Sequence, residues 1–196
     1  MDRSNKILSK NIKNLGLKVK LEEKKPIKGL LVEDKVYIED SEFSRFLVEK
    51  GYGEKVKDKI ELLPWEALYL VAEGWLEVLD KKTSEKMDVE KLVKIFSKKD
   101  ESVWSKYLVY RDLRSRGYVV KLGFGQGIDF RVYERGTYGK EAAKFLVCSV
   151  FEGEPIPIKN LVKILESARS LKKEVVIGVI ERRGEVVYYS LSKFNL

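Results

Sequence analysis

The sequence predicts an α/β chain of the α+β type in two parts: a small N-terminal mixed α/β domain over residues 1–98, and a C-terminal domain over residues 99–196 built on a mixed sheet flanked by helices. Three observations lead there. Short apolar runs of strand length alternate with stretches of helical spacing along the chain. Glycine, proline and small polar residues punctuate the changes from one to the other. A polar stretch at residues 97–102 divides the chain into two segments, each near the size of a small domain.

The N-terminal part reads as short strands at residues 18–22, 29–32 and 35–38, the last two joined by a tight turn at Glu33-Asp34. Ser41 is placed to cap a helix that runs to Lys50 and ends at Gly51. Pro64 suits the first turn of a second helix over residues 65–73, stopped by Gly74. Residues 75–79 read as extended, and Val89, Leu92, Val93 and Phe96 have helical spacing.

Beyond the polar stretch another helix starts, with Trp104, Tyr107 and Leu108 as its buried stripe and Gly117 after its end. Strands are predicted at 118–122, 129–133 and 145–150. A helix over 158–171 follows, with Ile158, Leu161, Val162, Leu165 and Ala168 on one face. Strands at 175–180 and 186–191 flank the turn Arg182-Arg183-Gly184. The glycine-rich Gly123-Phe124-Gly125-Gln126-Gly127 precedes a strand rather than a helix, so it reads as a turn between strands and not as a phosphate loop.

Composition narrows the chemistry. The chain contains no histidine, which excludes Ser-His-Asp and Cys-His catalysis, histidine metal sites and paired-histidine ribonuclease chemistry. Cys148 is the single cysteine and sits in an apolar run, so neither an intrachain disulfide nor a cysteine metal cluster is available. The formal net charge of +8 favours polyanionic partners. Heavy use of Lys and Glu, with Gln126 as the lone glutamine, resembles a thermophile's composition. No apolar run reaches membrane-spanning length, and residues 1–13 lack the apolar core of a signal peptide, so a cytoplasmic protein without membrane association is expected. No cofactor is expected. Asp129 and Glu141, with Lys144, have residue types that could form a Mg²⁺-dependent nuclease site, which would lose activity in EDTA. A basic RNA-binding module without enzymatic activity is a further reading.

Five segments, in order, carry a resemblance. They are Leu63-Pro-Trp-Glu-Ala-Leu-Tyr-Leu-Val-Ala-Glu-Gly74, Tyr107-Leu-Val-Tyr-Arg-Asp-Leu-Arg-Ser-Arg-Gly-Tyr118, Gly127-Ile-Asp-Phe-Arg-Val-Tyr133, Ala168-Arg-Ser-Leu-Lys-Lys173 and Gly184-Glu-Val-Val-Tyr-Tyr189. The chain resembles the tRNA-splicing endonuclease family, the archaeal tRNA-intron endonucleases, over both its halves. The resemblance implies metal-independent cleavage of pre-tRNA at bulge-helix-bulge motifs. In that chemistry a tyrosine takes the proton of a ribose 2′-hydroxyl and a histidine protonates the leaving 5′-oxygen. A lysine stabilises the phosphorane-like transition state, and the products carry 2′,3′-cyclic phosphate and 5′-hydroxyl ends.

By that resemblance Tyr133 matches the tyrosine and Lys173 the lysine. The family's His-Ser-x-aromatic-Leu-Val pattern reads here Ala142-Ala-Lys-Phe-Leu-Val147, so Ala142 stands in place of the histidine. An alanine cannot transfer a proton, and the expectation is an inactive structural subunit. It would join a histidine-bearing catalytic subunit in a heterotetramer with two copies of each. The resemblance further implies a subunit interface at the last strand and the loop before it, through Glu181, Glu185, Tyr188, Tyr189, Leu191 and Phe194. Arg111, Arg114, Arg116, Arg131 and Arg135 are the candidate phosphate contacts.

Overall fold

A computed structural model describes residues 26–125 and 127–194. The strand expected at 18–22 lies outside the described residues. The N-terminal part opens with a hairpin, β1 (Ile27–Val32) and β2 (Lys35–Glu39), paired antiparallel from Gly29 opposite Ile38 to Val32 opposite Lys35. Glu33 adopts the positive φ that this tight turn requires. Helix α1 (Glu42–Glu49) begins at a reciprocal cap: the Ser41 hydroxyl accepts from Ser44 N at 3.1 Å, and Ser44 Oγ accepts from Ser41 N at 2.8 Å. Strands β3 (Glu54–Val56) and β4 (Lys59–Leu62) follow, where the sequence reading has no element. They are too short for periodicity to register, yet β4 alternates Ile60 and Leu62 inward with Lys59 and Glu61 outward or half-buried.

Helix α2 (Pro64–Ala72) starts on Pro64 as expected, and strand β5 (Leu76–Asp80) lies parallel to β1. Strand β6 (Lys86–Met87) and helix α3 (Val89–Phe96) complete this half, whose sheet has the order β3-β4-β2-β1-β5-β6.

Helix α4 (Val103–Ser115) crosses to the second half. Its buried stripe includes Tyr107, Leu108, Tyr110 and Leu113, whereas Trp104, expected inside, is 39% exposed. The second sheet has the order β11-β10-β9-β8-β7, formed by β7 (Val119–Leu122), β8 (Phe130–Tyr133), β9 (Phe145–Phe151), β10 (Glu174–Ile180) and β11 (Val186–Leu191). Only the β9–β10 pair is parallel, and helix α5 (Ile158–Ser170) is the crossover that a parallel pair needs. Gly123, between β7 and β8, belongs to a turn: its N donates to Asp129 O at 2.7 Å, so close that a Cβ there would sit 2.3 Å from Ile128 O.

The two faces of this sheet are covered differently. Helix α4 packs on Phe130, Val132, Val147 and Ile180, and that core runs on without a break into Leu31, Leu70 and Val78 of the first half. Helix α5 covers Leu146, Cys148 and Val175 with Ile164 and Ala168. Its buried face is rotated from the expected one. Ile158 and Val162 are exposed, at 77% and 45%, and Ile164 takes the core position. Among the described residues no helix is long and apolar enough to cross a membrane.

The halves are also joined by buried charge. Glu66 is fully buried; its Oε2 accepts from Leu63 N at 2.9 Å and Gly53 N at 3.1 Å, and Lys121 Nζ of β7 lies 3.9 Å from Oε1. Burial pushes the Glu66 carboxyl above its ordinary range, against the pull of Lys121 and the two backbone donors. Lys121 Nζ donates in turn to Gly53 O at 3.0 Å.

Candidate functional site

The positions that the resemblance matches to a tyrosine, a histidine and a lysine lie at one end of the second sheet. Val132 and Glu174 both lie opposite Phe145, so β8 ends where β9 and β10 begin. Two backbone bonds extend the ladder by one step: Lys144 N donates to Val132 O at 3.0 Å, and Glu174 N donates to Lys144 O at 3.1 Å. The next positions outward on the three strands are Tyr133, the Ala142-Ala143 pair and Lys173.

Each is fixed locally. Helix α5 ends at Leu171, Lys172 turns back with a φ of 53°, and Lys173 N donates to Ala168 O at 3.0 Å. That reversal brings Lys173 Nζ to the Ala143 carbonyl, to which it donates. Tyr133 is half-buried, its ring edge-to-face on Tyr138 with centroids 5.0 Å apart and planes at 86°. Tyr138 belongs to the long β8–β9 connection and is not among the residues chosen from sequence; an aromatic between two glycines in a polar loop is the signal for it. Ala142 is exposed on that connection and Ala143 is buried. The end of the sheet thus offers a phenol and an ammonium, with a methyl group at Ala142.

The five arginines do not form one surface. Arg114 is buried, its guanidinium 3.6 Å above the Tyr52 ring and donating to Lys50 O at 3.0 Å and Tyr118 O at 3.5 Å. A guanidinium so committed joins the two halves and is not available to a phosphate, which corrects its expected place among the phosphate contacts. Arg111 lies exposed on α4, its guanidinium 5.7 Å from the Tyr107 ring. Arg116 is exposed, holds Asp112 through two bonds of 2.7 and 3.3 Å, and lies 5.5 Å from the Tyr188 ring. Arg131 is half-buried, 5.6 Å from the Phe124 ring, and Arg135 is exposed, 5.0 Å from that of Tyr118.

Among the interface candidates, Tyr189 and Phe194 are 56% and 83% exposed, and β11 is an edge strand. Leu191 is half-buried beside the α5 core, and Tyr188 points inward, donating its hydroxyl to Asp112 Oδ2 at 2.8 Å. Glu181 closes the β10–β11 turn through its backbone, and Glu185 is exposed on it.

The carboxylates of the metal reading are separated. Asp129 precedes β8, where its Oδ2 accepts from Ser149 N at 2.6 Å and its Oδ1 lies 3.7 Å from Lys106 Nζ. Burial raises its carboxyl above the ordinary range, although Ser149 N and Lys106 oppose that rise. Glu141 lies exposed in the loop after β8, beyond a strand about 13 Å long at ~3.3 Å per residue. Among the described residues no group of three His, Cys, Asp or Glu could hold a metal ion. Strand β8 lies between Asp129 and the loop that carries Glu141. Cys148, within the α5 core, has its thiol pushed up to about 12 by burial and by nearby Asp129.

Comparison with known proteins adds to this geometry. The pattern of the tRNA intron endonuclease N-terminal domain matches residues 27–93, and that of the tRNA intron endonuclease catalytic C-terminal domain matches residues 103–188. The tRNA-splicing endonuclease of Methanococcus vannielii is 38% identical over 173 residues, which are 88% of this chain and 97% of that protein. The enzyme of Pyrococcus horikoshii is 34% identical over 86% of this chain and 96% of its own length. That of Methanothermobacter thermautotrophicus is 32% identical over 83% of this chain and 95% of its own.

Proposed function

Since the chain belongs to the tRNA-splicing endonuclease family, we propose that it is the structural subunit of a heterotetrameric enzyme, positioning pre-tRNA and a histidine-bearing catalytic partner without cutting RNA itself. The family acts on pre-tRNA, and the proposed target is the bulge-helix-bulge at the exon–intron junction.

The observation that carries the reading is Ala142, in a chain that has no histidine anywhere. Transfer through a 2′-hydroxyl needs a group to take that proton and another to give one to the departing 5′-oxygen. Tyr133 and Lys173 supply an acceptor and a cation, but the methyl group of Ala142 supplies no proton. Lys140 and Lys144 are the nearest cations in sequence to Ala142. The ion pair of Lys144 with Glu134, at 2.9 Å, raises its pKa and makes it a worse acid at neutral pH. Under this proposal residues 1–98 and 99–196 are the two domains, and the exposed edge of β11 with Tyr189 and Phe194 joins subunits by strand addition.

The test is cleavage of a bulge-helix-bulge RNA in EDTA by this chain alone, by its histidine-bearing relative alone, and by the mixture. The proposal expects cleavage by the mixture and none by this chain, with the mixture's rate unchanged by Lys173→Ala in this chain. Cleavage that needs added Mg²⁺ would favour metal chemistry instead.

A further inference from the structure

On the face of the second sheet that α4 covers, the helix stops short and leaves an open cavity of about 200 Å³. Its walls are Leu113, Tyr118, Val132, Phe145, Val176 and Tyr188, so it is mostly apolar and bounded by three aromatic rings. Each ring carries a cation: Arg116 lies 5.5 Å from Tyr188, Arg135 5.0 Å from Tyr118, and Lys144 5.2 Å from Phe145. All three cations are exposed.

We infer that this cavity receives one unpaired nucleobase of the RNA, while Arg116, Arg135 and Lys144 hold the phosphates on either side of it. The inference rests on the reading of the chain as an RNA-positioning subunit. An apolar slot walled by aromatic rings and rimmed by cations is the chemistry that takes a splayed base with its backbone. Arg116 and Lys144 are engaged with Asp112 and Glu134, but these pairs are exposed, and exchanging an exposed carboxylate for a phosphate costs little. The place fits as well. Val132 faces the cavity, and Tyr133, the next residue on β8, ends the strand with its side chain directed to the opposite face. A strand of RNA rounding this end of the sheet would put one base into the cavity and a neighbouring phosphate near Tyr133.

The experiment measures the affinity of the full chain, in EDTA, for a bulge-helix-bulge RNA made uncuttable by 2′-deoxy substitution. The same RNA is then used with an abasic residue at each bulge position in turn. One abasic position is expected to weaken binding by roughly 5- to 150-fold. Val176→Phe, which fills the cavity, should weaken binding of the intact RNA by a similar factor and be indifferent to that abasic position. Arg135→Glu, an exposed change that leaves the core untouched, should weaken intact and abasic RNA alike and reduce the salt dependence by about one counterion. The inference is overturned if no bulge position is sensitive, if Val176→Phe keeps the full abasic loss, or if Arg135→Glu leaves the salt dependence unchanged. It is also overturned if Val176→Phe blocks assembly with the histidine-bearing relative and spares RNA binding, since the cavity then holds protein. If neither this chain nor the assembled complex binds the RNA, the RNA-positioning reading itself fails; binding without the abasic pattern removes only the cavity's role.

Discussion

Arg114 illustrates how one residue's neighbours decide its role. In sequence it is one of three arginines within six residues, all equally fit to meet a phosphate. In the fold it is sealed between α1 and α4, stacked on Tyr52 and bonded to two backbone carbonyls. Arg114→Ala should therefore cost about 2–4 kcal/mol in urea unfolding, through the lost stacking and an unpaired Lys50 carbonyl. Glu66 is the second such residue, and burial raises its carboxyl pKa above the unfolded-state value near ~4.3. A raised carboxyl contributes stability that is fully present below the unfolded value and is lost as pH rises through the folded one. Wild type should therefore lose stability relative to Glu66→Gln across that window and run parallel to it above; a gap independent of pH would contradict the assignment. Neither role was legible beforehand, because sequence spacing does not reveal which side of α4 or β7 meets the other half. The place of Ala142 shortly before β9 was legible, since that strand's apolar residues are distinctive on their own.

At the scale of elements, what could be read followed from length and capping. Helices α1 and α2 start where Ser41 and Pro64 place them, because a cap is a local bond. Strands β3 and β4 are short and gain their place only by pairing with each other and with β2. Helix α5 has apolar residues on more than one side, and its period alone could not choose between Ile164 inward and Ile158 inward. The edge position of β11 could not be read either, since strand order is a property of the sheet. Its exposed Tyr189 and Phe194 lead to a prediction for assembly. Tyr189→Ser with Phe194→Ser should lower the molecular mass found by sedimentation while shifting stability by no more than about ±0.5 kcal/mol. An unchanged mass would take subunit contact away from this edge.

At the scale of the molecule, one apolar core passes through both sheets, so the end of the second sheet is held by both described halves. Its strand ends place Tyr133, the Ala142-Ala143 pair and Lys173 at one end of the sheet, where Lys173 Nζ donates to the Ala143 carbonyl. Under the proposed function this end of the sheet lacks only a proton donor. The most direct measurement is cleavage of a bulge-helix-bulge RNA in EDTA by this chain alone, before and after Ala142→His. No cleavage by the native chain is expected, and a gain of roughly 10²–10⁴-fold over background with the histidine. Cleavage by the native chain at the rate of its Ala142→His variant would contradict the structural-subunit reading and place the acid on another residue.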